Sequence, residues 1–127
     1  VKVALYNGSP TSATAQAATL AQNAYNGSGG QWVTANEVSS TNYTAGGVVV
    51  TPKTETLVST TVVTFTSSGT PTWTTVSFTS YGCLVYDNTV TGAYAFCWNY
   101  FGGAQTVTAG TFSITWNASG IFAITCT

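Results

Sequence analysis

Charge is nearly missing from this chain of 127 residues. Lys2, Lys53, Glu37, Glu55 and Asp87 are its only charged side chains, and arginine, histidine and methionine are absent. Ordinary soluble domains are about one-quarter charged, so most of this surface must be neutral. The shortage first excludes familiar catalysis: a general base, a nucleophile relay or a metal centre needs grouped histidines, cysteines or carboxylates. With no histidine and three scattered acids, no catalytic, cofactor or metal residue is assigned, and the chain is read as a non-enzyme. Nucleic acid is excluded next, because two lysines and a net charge of −1 provide no basic footprint for phosphates.

Long apolar runs are also missing. Residues 88–127 carry no charge, yet Asn88, Asn99, Gln105, Asn117 and repeated Gly and Thr interrupt any stretch of the roughly 18 apolar residues that a membrane helix requires. The opening run Val1–Gly8 lacks the apolar core of a secretory signal. Cysteine is sparse and odd in number, and Cys83, Cys97 and Cys126 do not have zinc-site spacing. They read as small buried apolar side chains. If residues 81–86 and 93–99 form a hairpin around Asp87–Gly92, Cys83 falls nearly opposite Cys97, and one cross-strand disulfide becomes available in an oxidising compartment. A bacterial cytoplasm would keep the pair reduced.

Threonine is abundant instead, at 26 residues, and with Val, Tyr, Phe and Trp it favours a pleated, half-buried surface over a helix. The fold class expected is all-β: one antiparallel β-sandwich domain, jelly-roll or immunoglobulin-like, over residues 1–127. A single domain of this length buries roughly two-thirds of its unfolded surface. Strands are expected at Val1–Tyr6, Gly46–Thr51, Glu55–Ser59, Thr61–Thr66, Thr74–Thr79, Ser80–Tyr86, Ala93–Phe101, Gln105–Val107, Thr111–Trp116 and Ile121–Thr125, separated by turn formers. The last two read as a terminal hairpin around Asn117–Gly120. Tyr94, Phe96 and Trp98 alternate with smaller residues and are expected to share the core with Phe112 and Trp116. The Ala-rich stretch 13–25 is compatible with either a short helix or an irregular loop.

Individual residues mostly read as structural. Asp87, before Asn88, is a turn residue, and Glu37, beside Asn36, is an acceptor that fixes its own loop. Gly46-Gly47 and Gly102-Gly103 lack the Lys-Ser or Lys-Thr of a phosphate loop and are assigned to turns or bulges. Sequons at Asn7, Asn26, Asn42 and Asn117 match what 38 Ser and Thr produce by chance, so no glycosylation is inferred. Trp32, Tyr43, Trp73, Tyr81 and Tyr100 could stack on sugars if exposed, although large aromatics in a small sandwich are usually core. A chain protected by so little charge suits a packed assembly better than a free monomer.

Four segments carry a resemblance: Gln31-Trp32-Val33-Thr34-Ala35-Asn36-Glu37-Val38, Asn42-Tyr43-Thr44-Ala45-Gly46-Gly47, Tyr81-Gly82-Cys83-Leu84-Val85-Tyr86-Asp87, and Phe101 to Phe112. With Pro71-Thr72-Trp73 between them, they resemble in order and spacing a family of small bacteriophage virion proteins, from about residue 31 to the end. Two departures are Tyr100, where an Asp commonly precedes Phe-Gly, and the lack of acids before Pro71; the first thirty residues do not match. The resemblance implies a virion structural protein, foremost a capsid decoration or cement protein on the head surface, assembled in the host cytoplasm. Its implied partners are the major capsid protein and further copies of itself, as a homotrimer or other homo-oligomer, with no nucleic acid, membrane or cofactor. The alternatives are a phage tail or fibre subunit and a carbohydrate-binding or adhesin module.

Overall fold

A computed structural model describes residues 1–8 and 23–126. Among the described residues there are seven strands: β1 (Lys2–Tyr6), β2 (Val48–Val49), β3 (Thr54–Ser59), β4 (Val62–Thr66), β5 (Thr72–Tyr86), β6 (Ala95–Ser113) and β7 (Phe122–Thr125). They form two antiparallel sheets, ordered β2-β1-β5-β6 and β3-β4-β7. The expected all-β sandwich is the fold.

The larger sheet is built on the β5–β6 hairpin, whose turn is held by Asp87. Its Oδ1 accepts from the Thr89 N–H at 2.8 Å and the Thr89 hydroxyl at 2.6 Å, as an Asx turn requires. Register shifts between Trp73 and Val76, Val76 and Phe78, Ser80 and Gly82, and Val85 and Tyr86 bend the hairpin repeatedly. At the third shift, residues 101–104 oppose Tyr81 alone, and Gly102 takes φ +81° there. A bulge of this kind turns a long strand without unpairing it.

Both faces of this sheet are buried. Val3, Leu5, Cys83 and Val85 point toward the small sheet and pack with Phe65, Trp73, Val76, Phe78, Ile114 and Ile121. On the opposite face Ala4, Tyr6, Leu84 and Tyr86 pack with Trp32, Tyr25 and Trp98. A segment before β2 therefore covers the second face, which explains why Gly82–Tyr86 is buried at every position instead of alternately.

Several expectations need correction. Thr74–Thr79 and Ser80–Tyr86 are one strand, and most of Ala93–Phe101, all of Gln105–Val107 and the first half of Thr111–Trp116 merge into β6, because bulges and glycines bend these strands where turns were expected. The strand at Gly46–Thr51 shortens to Val48–Val49. No terminal hairpin forms: Phe112 and Ser113 pair with β5, while β7 pairs with β4 in the other sheet. Most of the Ala-rich stretch 13–25 lies outside the described residues, and its last part, residues 23–25, is a turn in which Ala24 bridges Tyr94.

Tyr94, Phe96 and Trp98 do not share the core of Phe112 and Trp116. Between the pairs Val85–Cys97 and Tyr86–Ala95, Phe96 is the extra residue of a bulge. It stacks on Phe65 and Phe122, whereas Trp98 packs on Tyr6 and Trp32 across the sheet. Phe101 meets Phe112 instead. The cysteines are all free thiols: the hairpin forms, but Cys83 opposes Asn99 and Cys97 opposes Val85, so the two are offset by two residues in register. Cys83 is buried as expected, Cys97 is half-buried and Cys126 is exposed. Burial pushes the Cys83 thiol up to about 12, with the Cys97 thiol adding to it, so Cys83 stays protonated.

Gly47 has a conformation and a neighbour that exclude other residues. Its φ is +65°, and an added Cβ would lie 1.8 Å from the Val3 carbonyl oxygen in β1. Gly47→Ala should therefore destabilise the fold by about 3 kcal/mol or more, combining backbone strain with a backbone clash. The urea midpoint should fall at constant m-value; an unmoved midpoint would contradict the close packing of this loop on β1.

Candidate interaction surface

Three of the four segments that carry the resemblance converge on one buried carboxylate. Glu37 is 3% exposed. Its Oε1 accepts from the Tyr43 hydroxyl at 2.5 Å and the Gly46 N–H at 2.8 Å, and its Oε2 accepts from the Tyr25 hydroxyl at 2.9 Å. Tyr86 extends the network by donating to the Gly46 carbonyl at 2.8 Å, with its ring stacked on Tyr25 at 4.6 Å. A buried carboxylate is tolerated when donors surround it in this way.

The same loop finishes the edge of β1. Strand β2 pairs only with Lys2 and Val3. Beyond it, Val38 N–H donates to the Leu5 carbonyl, Leu5 N–H donates to the Tyr43 hydroxyl, and Asn7 N–H donates to the Asn36 carbonyl. Glu37 thus does what was expected of it, fixing its loop, and its reach is longer: it ties residues 25, 43 and 46 to β1 and β5. The short sequence spacing from Asn36 to Glu37 carried no sign of Tyr25 or Tyr86.

Among the sugar-stacking candidates, Trp32 and Trp73 are buried, and Tyr43 packs on the core against Trp73 and Phe78. Tyr81 is half-buried and Tyr100 exposed. The indole N–H groups of Trp73 and Trp116 are buried without a hydrogen-bond partner.

What sequence reasoning missed is on the small sheet. Two rows of side chains share one face: Glu55, Phe65 and Phe122 in one, Leu57, Val63 and Ile124 in the next. Phe96 covers the first row by stacking on Phe65 and Phe122. The second row is left open, with Leu57 68%, Val63 38% and Ile124 58% exposed. Next to it a groove of about 420 Å³ has an apolar floor of Val63, Phe65, Phe96, Phe122 and Ile124. Lys53, Glu55 and Asp87 also line it. The Thr89 hydrogen bonds hold the Asp87 carboxyl below the usual carboxylate range, so it is ionised near neutral pH. The opposite face of the sheet bears Thr54, Thr56, Thr64 and Thr66.

Such a surface suits burial against a macromolecule: a flat apolar row, charge only at its margin, and strands β3 and β7 at the two edges of their sheet. Among the described residues there is no cluster of His, Cys, Asp or Glu that could hold a metal, and no helix is long and apolar enough to cross a membrane. In comparisons with known proteins, no family model, curated protein or solved structure matched the chain.

Glu37→Ala would leave three donors facing a cavity and should cost about 3 kcal/mol or more, and Glu37→Gln roughly 2 kcal/mol, since an amide offers one acceptor where the carboxylate offers two. Urea denaturation of both variants checks the order. Alkaline pH should also destabilise the fold. Burial first, then the Glu37 hydrogen bond, raises Tyr25 and Tyr43 above their usual value of about 10, and burial with the Glu37 charge raises Tyr6 and pushes Tyr86 up to about 12. Groups raised in the folded state keep protons that the unfolded chain releases. Their contribution is thus complete below pH 10 and is lost as pH rises through the folded values. The unfolding midpoint should begin to fall near pH 9, where the unfolded chain releases the Cys83 proton that the fold retains, and fall more steeply beyond pH 10 as the tyrosines join; a midpoint rising there would contradict the buried network.

Proposed function

We propose that the protein is a structural component of a bacteriophage virion, and within it a decoration protein that binds the outer capsid surface and stabilises the shell. The observation that carries this reading is the uncovered apolar row Leu57–Val63–Ile124 on a chain almost without charge. Such a surface is poorly protected as a solitary monomer and well suited to neighbours in an assembly. The resemblance to phage virion proteins from about residue 31 to the end supplies the setting, with the major capsid protein and further copies of this chain, as a homotrimer or other homo-oligomer, as partners.

Cementing in this reading works by area and multiplicity. Each copy buries apolar and hydrogen-bonding surface across adjacent capsid subunits, and the outer edges of β3 and β7 offer backbone groups to an added strand. Because each copy binds the assembled shell and not its dissociated subunits, occupancy shifts the equilibrium toward the shell. The burial of Trp32 and Trp73 weighs against the sugar-binding alternative, since of its five candidate aromatics only Tyr100 is exposed.

Virions stripped of the protein should lose thermal and pressure stability and recover it when the purified chain is added back. Equal stability with and without the protein would end the cementing role. Imaged particles distinguish the remaining virion alternative: hundreds of copies on the head are expected here, whereas a few to tens on the tail would mean a tail or fibre subunit.

A further inference from the structure

The same tetrapeptide occurs twice in the chain, as Tyr6-Asn7-Gly8-Ser9 and as Tyr25-Asn26-Gly27-Ser28. In an Asn-Gly pair the glycine nitrogen lies close to the asparagine side-chain carbon and can close a five-membered ring with it. Glycine has no Cβ to obstruct that approach and turns easily into the conformation it needs. The local sequence is identical at the two sites, but the fold treats them differently. At the second site the attacking nitrogen is occupied: Gly27 N–H donates to the Ala24 carbonyl at 3.1 Å, Asn26 N–H donates to the Trp32 carbonyl at 2.7 Å, and Asn26 is held at φ +57°. The ring can close there only after the turn opens.

At the first site the restraint stops just short of the reacting bond. Asn7 N–H donates to the Asn36 carbonyl at 2.9 Å, which anchors the end of β1 to the Glu37 loop. Beyond that bond Asn7 is exposed, the Gly8 N–H meets no acceptor among the described residues, and a Cβ added to Gly8 would find no atom within 4 Å. Asn7 is thus presented on a fixed strand end while the peptide unit after it is free to rotate.

We propose that Asn7 is a site of self-modification, where the chain converts its own asparagine to an aspartyl or isoaspartyl residue through a succinimide, while the turn at Asn26 protects the matching site. The Gly8 nitrogen attacks Asn7 Cγ. As the new N–Cγ bond forms, the Cγ–Nδ2 bond breaks, and ammonia leaves with the proton that the Gly8 nitrogen gives up. Water then opens the ring at either carbonyl: one opening leaves an ordinary aspartyl residue, the other routes the main chain through the former side chain. Water is the only co-reactant. The product matters in this chain because charge is so scarce: one new carboxylate adds a full negative charge to a net charge of −1. The isoaspartyl form also lengthens the main chain by one carbon directly after the bond to Asn36, at the margin of the loop that Glu37 fixes. The inference concerns the isolated chain and does not rest on the virion reading.

Incubation of the purified full chain in mildly alkaline buffer, followed by peptide mapping with mass spectrometry and by enzymatic methyl labelling of isoaspartate, tests the proposal. In the folded protein position 7 should convert with first-order kinetics, and position 26 at least about tenfold more slowly. In guanidinium chloride the two positions should convert at similar rates, because the difference lies in the fold and not in the tetrapeptide. Gly8→Val, at a position with open space for a side chain, should slow conversion at position 7 by about tenfold or more while the urea midpoint stays near that of the parent. Equal rates at the two positions in the folded chain, or an Asn7 that stays intact there, overturns the proposal and leaves the virion test above unaffected. A preference for position 7 that persists in guanidinium chloride, or a rate indifferent to Gly8→Val, overturns it equally.

Discussion

Everything in the larger sheet leans on one buried carboxylate. Glu37 has little access to water and is held by two phenols and a backbone N–H, so its position is set from three directions at once. An isolated charge at such depth would be prohibitive; surrounded by donors it becomes a fixed point to which irregular chain can be tied. The tie matters because β2 is only two residues long. Without the loop of residues 33–47 the edge of β1 beyond Val3 would have exposed backbone groups, and the Tyr25–Tyr86 stack would lose the partner that orients it.

That anchor accounts for how so small a chain buries both faces of one sheet. The small sheet covers the Val3, Leu5, Cys83 and Val85 face, and the segment around Trp32, locked by Tyr6 donating to its carbonyl at 2.8 Å, covers the other. Apolar material spent on two layers leaves little to cover the far end of the small sheet. The open row Leu57–Val63–Ile124 is the remainder of that division, and it gives the molecule a surface on which association has something to gain.

Much of this was readable in the residues, and the limits have physical causes. Turn chemistry at Asp87 is local, two residues long, and was correctly anticipated. The all-β class followed from β-branched and aromatic abundance, which is a property of the whole chain. Strand pairing was not readable in the same way: Thr111–Trp116 and Ile121–Thr125 alternate cleanly and flank a turn, so local pattern favoured a hairpin, but each strand has a better partner far away in sequence. Phe96 was misplaced because alternation assumes an unbroken pleat, and one bulged residue reverses the face of everything beside it. The open apolar row could not be found at all from sequence, since Leu57, Val63 and Ile124 become neighbours only through cross-strand register. The role of Glu37 was visible in kind but not in extent, because Tyr25, Tyr43 and Tyr86 are brought to it by three different elements.

The β5–β6 hairpin is continuous in sequence from Thr72 to Ser113, and it contains the longest strands of the fold. Its contacts close by zipping outward from the Asp87 turn, at a small entropic cost per step, whereas β1 must find β5 across most of the chain, as in the pairing of Tyr6 with Gly82. Chain order and folding order are therefore expected to run in opposite senses. The hairpin has the topology of an early nucleus, β1 and the Glu37 loop can dock only on a platform already made, and the rate of folding should follow that late, long-range closure.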